Sequence, residues 1–582
     1  MRSSDDSARM GCRNPYLRGR LLSSMLLAVL LVPRGAASVQ VAERENGTAM
    51  GRGTENRSWT SVAAKPPELI SPLRYDFKTQ SVQIPMRDGV RLPGRLLIPI
   101  RPSGENGPCV VLSDGYATAA ASRAFVGGAM DNLLDLVQRG YAGLSVAMRS
   151  TGVPEDEAFY YEYGEDGHDI VEWMADQEWC NGNVGMIGSS LNGIIQWETA
   201  REVPPHLRAI VPSISCGDCY WYLWYRGGTL PGMGRERRKP PLTPYNEYAA
   251  AIRHRSFDSW WSARTTSSED HEAIARAGIA VLQCGGWDDY IHAGGLRAVE
   301  EITAAGGKGM HVIGPCAHGG NTPALAPYDF WTFTVQWLDR FLKGVDNGID
   351  EGPAALIYVE GPNRFRFEDA WPIPDTRVAR LYLREQPSGS GVSLNDGSLL
   401  GSPPGSNEES VTYDYSPDGP HNDAGGAGAR IREDKRPAEK RSLTWTTLPL
   451  TDPAEVTGWP SLDFWASATA PDTDFVIELM DVAPDGFSTQ VARGWLNAPH
   501  YFDRTNPEPL LPEQVYHFEA EMWPVSYVFQ AGHRIRVMVS GSDHPGTALN
   551  PNPATVTVYQ DAEHPSTLEL PVVGTARLPT ED

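Results

Sequence analysis

The chain is poor in cysteine, in positive charge and in long apolar runs. Seven Cys are scattered through 582 residues. The pair in Cys216-Gly-Asp-Cys219 has no second pair beside it, so the sequence offers neither a zinc site nor a thiol-redox centre, and the cysteines read as structural or incidental. Lys and Arg number 50 against 73 Asp and Glu, which gives a formal charge of -23 and a pI near 5.0. Such an excess opposes approach to nucleic acid or to an anionic membrane and leaves a neutral or cationic small molecule as the easier partner. The apolar run from Leu21 to Val32 is shorter than the roughly 20 residues that a spanning helix needs. It follows Arg13, Arg18 and Arg20 and precedes the small residues Gly35, Ala36, Ala37 and Ser38, the order of a secretory signal peptide over residues 1–38. The mature protein is therefore expected to be secreted or periplasmic and free of the membrane. Sequence repeats and extended low-complexity tracts are also missing.

What is present is a long chain with 58 Gly and 47 Pro, enough residues for two or three domains and many turns. Residues 39–72 are polar and lack apolar periodicity, which reads as a disordered leader. Over residues 73–352, β-branched runs alternate with amphipathic stretches, as in a mostly parallel sheet with crossover helices. The strands are predicted at Cys109–Leu112, Ala142–Ala147, Val184–Gly188, Ala209–Pro212, Ala280–Cys284 and Met310–Ile313. Helices are expected at Met130–Arg139, Asp169–Gln177, Ser190–Ala200, Leu296–Ala304 and Phe330–Leu342. Residues 216–271 interrupt the alternation with Tyr220, Trp221, Tyr222, Trp224, Tyr225, Trp260 and Trp261, and read as a cap inserted above the carboxyl ends of the strands. Residues 353–582 change to strands separated by turns, beginning with Ala355–Val359, which fits an antiparallel jelly roll.

The strongest local signal is Gly188-Ser-Ser190-Leu-Asn-Gly193, reached by an apolar strand and followed by a helix-compatible run. Small residues on both sides of a serine let the backbone turn sharply and lift the hydroxyl above the sheet. Ser189 competes, but the elbow places its nucleophile two residues after the first glycine, at Ser190. A serine needs a base, and the base needs an acid to hold its tautomer. The order Ser, acid, His is met by Gly286-Trp-Asp-Asp289 and Gly314-Pro-Cys-Ala-His318, each directly after a predicted strand. Asp288 and Asp289 are not separated by spacing. His318 is the favoured base over His292 and His311. Oxyanion donors are expected from the Leu191 backbone NH and the loop Ser113-Asp-Gly-Tyr116.

Together with Arg87-Asp-Gly-Val-Arg-Leu92, Trp179-Cys-Asn-Gly-Asn-Val-Gly-Met186, Leu450-Thr-Asp-Pro-Ala-Glu-Val-Thr-Gly458, Asp472-Thr-Asp-Phe475 and Gly532-His-Arg-Ile-Arg536, these motifs resemble the cocaine esterase group. That group is related to Xaa-Pro dipeptidyl-peptidases, α-amino-acid ester hydrolases and β-lactam acylases. The resemblance implies an α/β-hydrolase domain with an inserted helical cap, followed by an all-β C-terminal jelly roll. It also implies Asp289 as the acid and Tyr116 as an oxyanion-hole hydroxyl. Asp288, Trp221 and Trp287 are candidate substrate contacts, and Asp288 and Asp218 are the acids that would meet a free α-amino group.

The resulting expectation is a serine esterase or acylase acting on a small-molecule ester or amide through Ser190, His318 and Asp289, with no cofactor and no metal. A dipeptidyl-peptidase is the alternative reaction, and an inactive carbohydrate- or surface-binding protein the alternative class. Homo-oligomerisation is left open.

Overall fold

The computed structural model describes residues 70–102, 105–115, 121–149, 163–230, 232, 253–318, 330–421 and 433–579. The expected signal peptide, the expected leader up to residue 69, Tyr116 and the middle of the expected cap lie outside the described residues.

Ten strands build the first sheet: β1 Phe77–Pro85, β2 Arg91–Pro99, β3 Gly107–Asp114, β4 Ala142–Ala147, β5 Cys180–Ser189, β6 Leu207–Ser213, β7 Ala280–Asp288, β8 Gly309–Ala317, β9 Ala355–Val359 and β10 Arg364–Glu368. They run in the order β1-β2-β4-β3-β5-β6-β7-β8-β9-β10. From β4 to β9 neighbours are parallel, while β1, β2 and β10 add antiparallel edges. Every residue of β3 is buried, as a strand covered on both faces requires.

The helices are α1 Ala121–Gln138, α2 Tyr163–Ala175, α3 Leu191–Arg201, α4 Ser268–Ala277, α5 His292–Ala304 and α6 Phe330–Lys343. Alternation along β3 divides its side chains between two cores. Cys109 and Val111 pack with Met174, Ile195, Ile274 and Val299 of α2 to α5, whereas Val110 and Leu112 pack with Leu133, Trp337 and Leu338 of α1 and α6. The predicted parallel strands and their helices all fall on observed elements.

One element is added and one expectation changes. The β1–β2 hairpin was not legible because its strands carry an exposed polar face, and Ala355–Val359 does not open the β domain. That strand pairs in parallel with β8 and antiparallel with β10, so the first sheet extends to Glu368, past the expected boundary at residue 352. Its apolar run, with Leu356, Ile357 and Val359 buried, is completed by the sheet edge that β8 leaves exposed.

From Thr376 to Val573 thirteen strands form a jelly-roll β domain in which one pairing, between Gly397–Leu400 and Leu443–Thr446, is parallel and the rest antiparallel. Its core is built on Phe464, Phe475 and Phe518. Between β6 and β7 the cap contributes a π-helical turn at Tyr220–Trp224, a tight turn at Arg226–Gly228 and a short helix at Ser259–Ser262. Tyr220, Trp224, Tyr225 and Trp261 form its buried cluster. Cys216 is disulfide-bonded to Cys219 at the entry to this cap, and Cys109 to Cys180 across β3 and β5.

A buried carboxylate joins α5 to the β domain. Glu300 accepts hydrogen bonds from the indoles of Trp371 and Trp459, both at 2.6 Å, and from Arg297 at 2.7 Å. Arg297 stacks 4.1 Å above the Trp459 ring and also pairs with Glu521. Glu300→Ala strands two indole NH groups and a guanidinium, and is expected to cost about 2–4 kcal/mol, whereas Glu300→Gln keeps an acceptor and costs less. Thermal unfolding midpoints in the order wild type, Gln, Ala test this, and equal midpoints would refute it.

The thiols of Cys284 on β7 and Cys316 on β8 are not in disulfides. Burial pushes both up to about 12, and nearby Asp289 and Asp288 add to the effect at Cys316. Neither is expected to react with iodoacetamide at pH 8 in the native protein, and both should react after unfolding in urea. Mass spectrometry of the two peptides reads the outcome; native alkylation of Cys316 at a free-cysteine rate would contradict it.

Candidate active site

Three of the predicted residues occupy equivalent places, each being the first residue after a parallel strand. Ser190 follows β5, Asp289 follows β7 and His318 follows β8. Register brings the last two together, because Asp288 pairs with Ala317 across β7 and β8.

At Ser190 the chain passes from strand to helix within one residue, at φ 59° and ψ −124°. A side-chain-bearing residue in that region is held at a cost of about 1–3 kcal/mol, so the surroundings must impose it. Ser190 N donates to Ser213 O of β6 at 3.0 Å, while Gly193 N and Ile194 N donate to Ser190 O at 2.8 and 2.9 Å. Close approach explains the flanking glycines. A Cβ on Gly188 would sit 2.8 Å from Asn192 Cβ, and one on Gly193 would sit 2.7 Å from Ser215 Cβ.

Two polar side chains of α3, whose roles were not foreseen, complete the elbow. Gln196 donates to Gly188 O at 3.2 Å and to Asn192 O at 3.1 Å, and accepts from Val211 N at 2.9 Å. Asn192 Oδ1 accepts from Gly115 N at 3.0 Å and so ties the elbow to the loop after β3. A polar residue on a helix buried from Leu191 to Ala200 was the available signal.

Ser190 Oγ lies 2.9 Å from His318 Nε2, and His318 Nδ1 lies 2.8 Å from Asp289 Oδ2. The Asp289 side chain is fully buried and that of His318 is 15% exposed. The other Asp289 oxygen accepts from Ile291 N at 2.8 Å and His292 N at 3.1 Å, which locks the carboxylate plane. The geometry thus separates the two acids that spacing could not. The Tyr290 ring packs against the other side of this site, its centroid 4.4 Å from that of His318.

The rival residues go elsewhere. Ser189 is the exposed last residue of β5. His292 is buried beside Gln283, and His311 packs near Trp371; burial lowers them to about 4 and about 3, so neither is a base poised near neutrality. Leu191 is the first residue of α3 and Asp288 the last of β7, while Tyr116 lies outside the described residues.

Two of the candidate substrate contacts are placed differently from expectation. Trp287 donates its indole NH to Tyr358 O at 2.7 Å and packs against Trp371, so it is committed to the core. Trp221 lines a separate cavity of about 540 Å³ with Tyr222, Arg297, Glu301 and Arg504, a set that contains none of Ser190, Asp289 and His318. Asp218 lines the same cavity and is occupied by Arg504 at 2.7 Å. An aromatic in a loop has the same letter code whether it meets substrate or core, which is why the sequence could not separate these roles.

Residues 88–237 match the X-Pro dipeptidyl-peptidase (S15 family), and residues 347–569 match the X-Pro dipeptidyl-peptidase C-terminal non-catalytic domain. Cocaine esterase of Rhodococcus sp. (strain MB1 Bresler) is 28% identical over 581 residues, covering 85% of this chain and 98% of its own. Among solved structures, an aminopeptidase from the marine sediment archaeon Thaumarchaeota archaeon superposes with a TM-score of 0.67 at 22% identity, over 90% of this chain and 99% of that one. An α-amino acid ester hydrolase superposes with a TM-score of 0.67 at 21% identity, over 89% and 100%. At these identities the structural likeness speaks for the fold. The matched S15 segment and the esterase relative make the chain a serine hydrolase similar to cocaine esterase and to the Xaa-Pro dipeptidyl-peptidases.

Proposed function

We propose that the chain is an exported esterase or acylase that cleaves small-molecule esters or amides through an acyl-enzyme on Ser190. The observation that carries this reading is the continuous run of contacts from Ser190 Oγ through His318 to Asp289, at 2.9 and 2.8 Å. With its proton on Nδ1 facing Asp289, His318 accepts the Ser190 hydroxyl proton at Nε2 as Oγ bonds to the carbonyl carbon. The carbonyl oxygen takes the electron pair and is met by the Leu191 NH and, in this reading, the Tyr116 hydroxyl. Support for Tyr116 comes from its neighbour Gly115, whose NH is held by Asn192 in the elbow itself. The tetrahedral centre collapses, the bond to the leaving group breaks, and His318 returns its proton to that group. Water then enters and gives a proton to His318 as its oxygen bonds to the acyl carbon; the bond to Ser190 Oγ breaks, the acid leaves, and His318 returns the proton to Oγ. Asp289 orients the imidazole throughout.

Esterase or acylase action is favoured over removal of N-terminal dipeptides because Asp218, one of the two acids available for an α-amino group, is already neutralised by Arg504. Export rests on the N-terminal arginines, apolar run and small residues alone. Among the described residues no helix is long and apolar enough to cross a membrane.

A fluorophosphonate probe should label the wild type and not Ser190→Ala. Asp289→Asn should keep the fold and lower kcat by about 10³- to 10⁴-fold, through loss of the productive tautomer. Aryl esters should turn over faster than Xaa-Pro anilides; turnover of the anilides alone would transfer the assignment to a dipeptidyl-peptidase.

A further inference from the structure

Tyr290 and Arg226 are the polar aromatic and the cation that the proposed mechanism leaves unused, and they stand in line with its base. We propose that Tyr290 is a positioning residue for His318, and that Arg226 holds Tyr290 against a rigid wall supplied by the C-terminal β domain. The inference rests on His318 being the base.

Contact begins at the imidazole. The Tyr290 ring lies 4.4 Å from the His318 ring, centroid to centroid, tilted by 48°. Asp289 meets His318 at Nδ1 and Ser190 Oγ meets it at Nε2, so both hydrogen bonds act at the edge of the ring and leave its tilt to be set by packing. A ring packed against the imidazole at this tilt limits its rotation and keeps Nε2 aimed at Ser190. Arg226 continues the line. Its guanidinium carbon is 6.0 Å from the Tyr290 centroid, 5.1 Å from Trp495 and 5.4 Å from Trp523, so three aromatic faces surround one cation. Arg226 is 5% exposed, hence the cation is enclosed rather than laid on a surface.

The wall is stiff for an identifiable reason. Trp495 donates its indole NH to the buried Asp543 at 2.9 Å, and the same carboxylate oxygen is paired with Arg493 at 2.9 Å. The turn that carries Arg226 is seated on the same strand. Gly227 has φ 55°, and a Cβ there would fall 1.8 Å from Trp495 O, so backbone meets backbone with no side chain between. Cap and β domain therefore meet at Arg226, next to the ring partner of the base.

The test uses the full chain with Tyr290→Phe, Tyr290→Ala, Arg226→Lys and Arg226→Met, with Ser190→Ala as control. Steady-state kcat and KM on an aryl ester and the rate of Ser190 labelling by a fluorophosphonate are measured. Tyr290→Ala is expected to lower kcat and labelling about 10- to 100-fold with KM little changed, as misplacement of a reacting group does, while Tyr290→Phe restores both. Arg226→Met should follow the same pattern more weakly, and Arg226→Lys, which keeps a cation in the enclosure, should recover most of the loss. Wild-type kcat in Tyr290→Ala overturns the proposal, as does a rise in KM alone, which would make Tyr290 a substrate contact. A Phe variant as impaired as Ala overturns it too, by assigning the effect to the hydroxyl. Should an Arg226 variant fail to fold, the Tyr290 pair decides. Labelling or turnover that survives in Ser190→Ala removes the Ser190 reading and this proposal with it, whereas a silent Tyr290→Ala beside an inert Ser190→Ala removes only the positioning role.

Discussion

A single backbone conformation, Ser190 at φ 59°, sets the geometry on which the rest of the site depends. No intrinsic preference of serine favours it. It persists because strand and helix leave no alternative: β6 accepts the Ser190 NH, the first turn of α3 takes the Ser190 carbonyl, and Gln196 bridges the two elements from inside. The strain is distributed over a helix buried along nearly its whole length, whose purpose is as much to hold the elbow as to cover the sheet.

Parallel register does the remaining alignment. Serine, acid and base each come one residue past a strand end, and the pairing of Asp288 with Ala317 makes Asp289 and His318 adjacent before any side chain is considered. Their hydrogen bonds refine a proximity that the sheet has already created. The same logic ties the loop after β3 to the elbow through Asn192, because β3 is the strand beside β5.

The β domain is joined to this arrangement by polar groups buried at aromatic surfaces. Glu300 receives two indoles and a guanidinium on one side of α5, and Arg226 enters three aromatic rings on the cap side. Such groups are costly to bury alone and specific once satisfied, so they fix where the domains meet more sharply than apolar contact would.

By itself the sequence determined the parallel strands, their helices, the elbow serine and the two loops that carry Asp289 and His318. These are encoded by near neighbours: apolar runs of strand length, helical periodicity, and glycines where a backbone must turn. Spacing could not choose between Asp288 and Asp289, because both stand in the same loop and only the direction of a side chain separates them. Nor could it assign Ala355–Val359 to its sheet, turn Trp287 into the core, neutralise Asp218 with Arg504, or bring Trp495 to Arg226. Those outcomes were decided by tertiary structure, since each depends on which distant strand edge, carboxylate or ring arrives to complete a burial that the local sequence leaves unfinished.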